Sequence, residues 1–168
     1  HNSGVVHSGL YYRPGSLKAK LCAEGREAMF AFAAEKGIAY ERCGKLVVAV
    51  EERELARLDE LERRGRENGL AGIVRLDRLG LREHEPHAAG VGGLFVPETG
   101  IVDYVAVAEA IAAEIRAAGG EVRTSARVTA IRRADGAIEV EAGGERVSCG
   151  YLIGCAGLAS DRVARLAG

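Results

Sequence analysis

The 168-residue chain has no tryptophan, one methionine, three prolines and only eight phenylalanine and tyrosine residues between them, so a core built on aromatic stacking is excluded. Its 23 Lys+Arg balance 24 Asp+Glu to a net charge of -1, and the basic residues are scattered, which removes the electrostatic case for nucleic acid. No apolar run approaches the roughly 18 residues that cross a bilayer, and the first residues carry neither a charged n-region nor an apolar h-region. A soluble protein is expected. Four cysteines, Cys22, Cys43, Cys149 and Cys155, lie far apart with no C-x-x-C pair, against a zinc ribbon or redox dithiol; they read as small core residues in a reducing compartment. No G-x-G-x-x-G occurs, which argues against an intact dinucleotide-binding domain.

What is present is enough apolar material, 48% of residues, for a real core. After an opening stretch rich in glycine and histidine, Ser16 is placed to cap a helix with Leu17, Leu21, Ala28 and Phe32 on its buried face, and Gly37 to end it. "CGKLVVAV" predicts a buried strand, and "EERELARLDELERRGRENG" a helix with a narrow stripe of Leu55, Leu58 and Leu61. A strand around residues 74–76, an N-cap at Asp77 and a brief helix stopped by Pro86 follow. "GGLFVPETG" reads as strand and turn. The helix after Asp103 places Tyr104, Val107, Ala108, Ile111 and Ile115 on one face and is expected to be covered by protein. Strands are then predicted at 121–124, on either side of turns at Asp135-Gly136 and Gly143-Gly144, and at 151–155, before a last helix begins in "LASDRVARLAG". Helix and strand alternate, so the class is α/β, with α+β character.

Four constellations could carry chemistry. The opening His1, Asn2, Ser3, Gly4, His7, Ser8 and Gly9 form a polar loop whose glycines would let backbone approach a ligand, although a loose terminus would contain the same residues. "EHEPH", with Glu83, His84, Glu85 and His87, invites a metal reading, but its spacing fits no helix-borne H-x-x-x-H pair and Pro86 breaks the element. It reads as a solvated loop, with no metal site. "GCAGLASDR" runs an apolar strand through a small-residue turn into a helix, a form that presents backbone N–H groups to phosphate and also simply closes α/β units. The stretch from "TGIVDY" to "GGEVRTSARVTAI" is scaffold when taken alone.

Taken together and in this order, these residues resemble the FAD-dependent L-2-hydroxyglutarate oxidases and dehydrogenases, within the glycine oxidase and D-amino-acid oxidase superfamily. "HNSGVVHSGLYYRPGSLKAKLC" is very close to that pattern, and "CGKLVVAV", "TGIVDY", "AGGEVRTSARVTAI" and "YLIGCAGLASDR" extend the resemblance over essentially the whole chain. It implies an internal fragment, since such proteins begin earlier, with a strand and a glycine turn over the FAD pyrophosphate, and continue past Gly168. It further implies a partial Rossmann-like FAD lobe and part of a substrate-binding sheet lobe: residues 1–47 and 101–168 with the cofactor, 48–100 with the substrate. A fragment without the glycine turn is expected to bind FAD weakly or not at all.

By resemblance, His1, Asn2, Ser3, Gly4, His7, Ser8 and Gly9 would lie along the flavin, with Tyr11 and Tyr12 bordering the substrate cavity. Val128 would hold adenine through backbone groups, and Cys155, Ala156 and Gly157 would be the small-residue motif near the cofactor. The implied reaction is oxidation of L-2-hydroxyglutarate to 2-oxoglutarate, with hydride passing to flavin and a base taking the hydroxyl proton; His7 is the visible candidate. A dicarboxylate wants cationic partners, and Arg13, Lys18 and Lys45 are all available. Oxygen or quinone would take the electrons, in the cytoplasm, with peripheral contact to the inner membrane left open. Two other readings stand beside this one: a related flavoenzyme acting on another 2-hydroxy acid, glycerol 3-phosphate or an amino acid, and a non-enzymatic α/β binding module.

Overall fold

The computed structural model describes residues 2–134 and 136–168. His1 and Asp135, and with them part of the predicted opening loop and of one hairpin turn, lie outside the described residues. The chain divides into two compact units, His1–Glu114 and Ile115–Gly168.

The first unit holds two small sheets. In one, β6 (Gly100–Val102) lies between β1 (Val5–Val6) and β2 (Tyr40–Glu41); in the other, β5 (Gly92–Phe95) lies between β3 (Leu46–Ala49) and β4 (Val74–Leu76). Every described strand pair is antiparallel. Helix α1 (Leu17–Lys36) begins where predicted, because the Ser16 hydroxyl accepts from the Ala19 N–H at 3.2 Å. It ends at Gly37, which takes the left-handed conformation. Helix α2 (Leu55–Glu67) follows a turn of 3-10 helix, and α3 (Arg78–His84) is capped by the Asp77 carboxylate, which accepts from Gly80 N–H at 2.8 Å.

These elements enclose two cores. Leu58, Leu70, Ile73, Leu94, Val96 and Ala49 pack with Leu10, while Phe30, Ala33, Ile38, Val102 and Val107 pack with Val6. Val6 and Leu10 are four residues apart. The short stretch between them therefore bridges the two cores.

The second unit is a meander of β7 (Val128–Ala134), β8 (Ala137–Ala142) and β9 (Glu145–Cys149), with α5 (Ser160–Leu166) packed on β7. Ser125 has φ of 57°, a left-handed conformation rare outside glycine, at the predicted turn before β7.

Several expectations are corrected. The buried face of α1 is Ala19, Phe30 and Ala33, while Leu17, Leu21 and Ala28 are exposed and Phe32 only half-buried. The sheet that α1 covers lies beneath its C-terminal half, and in its first turns it is Ala19 and Cys22, not the leucines, that face the rest of the unit. Helix α4 (Tyr104–Ala117) buries Val107 alone, with Ile111 and Ile115 exposed, because only its first turns lie over the β1-β6-β2 core. Residues 121–124 and 151–155 are not strands. A strand exists through its partner's hydrogen bonds, and among the described residues neither stretch is paired; Tyr151 and Ile153 stand 93% and 85% exposed. No cysteine is a core residue: Cys22 and Cys149 are half-buried, Cys43 and Cys155 exposed.

Close approach makes one glycine indispensable. A Cβ on Gly100 would sit 2.4 Å from the Glu41 carbonyl oxygen and 2.7 Å from the Phe30 ring. Gly100→Ala is expected to lower unfolding stability by about 2 kcal/mol or more, since a backbone oxygen must move, and urea denaturation checks it.

Candidate functional site

The opening loop is held by its carbonyls. Cys22 Sγ of α1 donates to the His7 carbonyl at 3.3 Å, and one helical turn on, Arg26 Nη1 donates to the Ser8 carbonyl at 3.1 Å. From the far side Asn68, at the C-terminus of α2, donates through Nδ2 to the Gly9 and Tyr12 carbonyls at 3.1 and 2.9 Å. The Tyr12 N–H closes a turn onto Gly9 at 3.1 Å. Gly9 has φ of 90°, and its missing Cβ would lie 3.4 Å from Cys22 Sγ, so this glycine serves both the turn and the close approach to α1.

Pinned in this way, the loop divides its side chains. Ser8 is buried at 2% exposure, and its hydroxyl has no partner among the described residues. His7 is exposed. Asn2 and Ser3 turn back on their own loop, where Asn2 Oδ1 accepts from Gly4 N–H at 2.8 Å and Ser3 Oγ from Val5 N–H at 3.4 Å. Gly4, at φ 76°, and Ser3 line a cavity of about 500 Å3 with Tyr40, Glu41, Ile101 and Asp103. Tyr11 is exposed and Tyr12 half-buried, and a lysine lies over each: Lys45 Nζ is 4.2 Å from the Tyr11 ring centre, Lys18 Nζ 4.6 Å from that of Tyr12.

Electrostatics around this loop are positive. Burial lowers the Lys45 pKa below the ordinary lysine value, opposed only by attraction to Cys22. Burial raises that of Cys22, with Arg26, Lys45 and Lys18 pulling the other way. Arg26 is neutralised by Glu27, whose carboxylate also accepts from Arg42; hydrogen bonds from Arg42 and then Arg26 bring Glu27 down from 4.5 to about 2.

In the second unit a separate groove of about 750 Å3 is walled by Arg127, Val128, Thr129, Ala159, Arg162, Val163 and Leu166. At Val128 the ladder of β7 slips, pairing Val128 with Ala142 and Ala130 with Glu141, so Thr129 is an extra residue in a bulge. Cys155 and Gly157 are exposed and Ala156 is half-buried. These three lead towards the groove without forming its walls. In "EHEPH", expected as a loop, Glu83 and His84 instead form the last turn of α3, with the His84 ring 4.5 Å from Phe95 of β5; the exposed loop begins at Glu85, whose carboxylate accepts from His87 N–H.

Sequence reasoning missed Cys22, Arg26 and Asn68 as supports of the loop, and Arg127 and Arg162 as groove walls. Asn68 meets Gly9 across 59 positions, a separation at which no local pattern signals contact.

The family model described as FAD dependent oxidoreductase matches residues 1–168, and the chain belongs to that family. Within it, the chain is 42% identical over 180 residues to human mitochondrial L-2-hydroxyglutarate dehydrogenase, and 44% identical over 169 residues to L-2-hydroxyglutarate dehydrogenase of Salmonella houtenae. All of this chain is covered in both comparisons, and 39% and 40% of those proteins, so it spans well under half their length. Among solved structures, L-α-glycerophosphate oxidase of Mycoplasma pneumoniae with FAD bound is similar at a TM-score of 0.87 and 27% identity, over 99% of this chain and 46% of that one. Glycine oxidase of Geobacillus kaustophilus, at 21% identity and a TM-score of 0.85 over 98% of this chain and 46% of its own, shares the fold.

Two outcomes are expected. Asn68→Ala leaves two loop carbonyls short of a donor and should cost about 1–3 kcal/mol in urea denaturation. Because the folded pKa of Glu27 is depressed, its contribution to stability is present above about pH 4.5 and is lost as pH falls towards 2. The slope of unfolding midpoint against pH in that window should flatten modestly in Glu27→Gln, whose native side chain is half exposed and screened.

Proposed function

We propose that the protein carrying this chain oxidises L-2-hydroxyglutarate to 2-oxoglutarate with FAD, the opening loop forming one wall of the flavin site. The observation that carries this reading is the 42–44% identity to L-2-hydroxyglutarate dehydrogenases across all of the chain. It outweighs the glycerol 3-phosphate and amino-acid alternatives, whose structures are similar at 27% and 21%.

The chemistry of the residues fits the cofactor. Ser8 offers a buried hydroxyl with an unused hydrogen bond. Gly4, at φ 76° in the wall of its cavity, leaves backbone open to a ligand, and Arg127 and Arg162 flank a groove with Val128, Val163 and Leu166 in its walls, suited to a nucleotide. In this reading His1, Asn2, Ser3, Gly4, His7, Ser8 and Gly9 lie along FAD, Val128 holds adenine, and Cys155, Ala156 and Gly157 approach the cofactor. Residues 1–47 and 101–168 serve the cofactor lobe and 48–100 the substrate lobe. Bound FAD supplies the hydride acceptor for the substrate C2–H.

His7 takes the proton of the C2 hydroxyl. Its imidazole is exposed on a backbone that Cys22 fixes, so it is free to meet a ligand from a defined position. Tyr11 and Tyr12 wall the substrate. The electrons leave to oxygen or a quinone, in the cytoplasm and, for quinone, against the inner membrane; among the described residues no helix is long and apolar enough to cross one.

The deciding assay compares the flavin-loaded protein on L- and D-2-hydroxyglutarate, glycerol 3-phosphate and glycine. Selective turnover of the L-hydroxy acid is expected, and preference for any of the others overturns the reading. His7→Gln should lower kcat, measured per bound flavin, roughly 10²- to 10⁴-fold, as loss of a general base does. An unchanged kcat removes His7 from the chemistry.

A further inference from the structure

We propose that Lys45, assisted by Lys18, binds the substrate carboxylate remote from the reacting carbon and thereby selects dicarboxylates over monocarboxylates. This rests on the 2-hydroxy-acid reading above and adds to it the group that reads the far end of the substrate.

Lys45 is fixed at its backbone, where its N–H and carbonyl pair with Val96 at 3.1 and 2.9 Å just before β3. Its ammonium lies over Tyr11, half-buried, and among the described residues neither it nor Lys18 belongs to an ion pair. A desolvated ammonium without a counterion is costly, and a tyrosine face offsets that only in part. Lys18 stands over the neighbouring Tyr12, so the two adjacent tyrosines at the end of the loop each carry an ammonium on their ring.

Two other basic groups near the loop are already engaged. Arg26 is spent on Ser8 O and Glu27, and Arg42 on Glu27 and the face of Phe30. Arg13 belongs to no ion pair among the described residues but is exposed, as is Lys18, so Lys45 is the one of the three that is half-buried. An ammonium is a point charge without a fork, suited to holding a remote carboxylate that need only be neutralised, whereas the carboxylate beside the reacting carbon must be oriented, the task for which a bidentate group is built.

The test is calorimetric titration of the flavin-loaded protein with glutarate, which has both carboxylates and no hydroxyl to oxidise, with butyrate, and with inorganic phosphate. Wild type should bind glutarate more tightly than butyrate or phosphate. Lys45→Met should weaken glutarate roughly 10- to 100-fold, Lys18→Met less, and Lys45→Arg by only a few-fold, with butyrate unchanged in all three. Thermal unfolding and flavin absorbance confirm that each variant is folded and loaded. Equal affinity for glutarate and butyrate, tighter binding of phosphate at Lys45, or glutarate affinity untouched by Lys45→Met overturns the proposal. Turnover of L-2-hydroxyglutarate with glutarate affinity independent of Lys45 sinks the subsite and leaves the reaction standing. Lys45-dependent glutarate binding without that turnover supports the subsite and sinks the reaction.

Discussion

Three side chains on two helices hold four carbonyls of one loop, and most of what the first unit offers a ligand follows from that. Cys22 and Arg26 reach down from α1 to His7 and Ser8, and Asn68 reaches across from α2 to Gly9 and Tyr12. Because the same loop carries Val6 into one core and Leu10 into the other, both hydrophobic clusters tension it from its ends. Irregular backbone becomes a fixed surface when its polar groups are satisfied from outside. With the carbonyls consumed, what remains for a ligand is the exposed His7, the Ser8 hydroxyl, which has no partner among the described residues, and the backbone at Gly4.

Charge follows the same geometry. The donors that hold the loop include one arginine, and Glu27 neutralises it in company with Arg42, so that cation serves structure. Lys18 and Lys45 have no such partner among the described residues, and they are placed over the two tyrosines that end the loop. Support and recognition are thus divided between guanidinium and ammonium groups. In the second unit the bulge at Val128 and the helix α5 shape a groove with two arginines in its wall, a further cationic surface on an otherwise balanced chain.

Local signals in the sequence were sufficient where structure is local. The Ser16 and Asp77 caps, the Gly37 stop and the turn at Ser125 depend on residues three or four apart, and each stands where the sequence places it. What was illegible depends on partners distant in sequence. Apolar spacing in α4 and at 151–155 predicts burial or pairing, but spacing does not say whether a neighbour exists, and Ile115 and Tyr151 remain exposed. Leu17 and Leu21 obey helical periodicity and face away from the core for the same reason. The opening residues alone did not distinguish a loose end from a site; only the resemblance did. Cys22 gave no sign of its role, reading as a small core residue when its thiol in fact ties down the loop.

Everything proposed for the first unit depends on this pinned loop being a wall of the flavin site. Amide hydrogen exchange of the protein with and without saturating FAD, followed peptide by peptide over residues 2–12, tests this directly. Amides around Gly4 and from His7 to Gly9 should exchange at least several-fold more slowly with FAD bound, while those of α3, away from the loop, should not change. Exchange in residues 2–12 that is the same with flavin bound and absent would contradict the account.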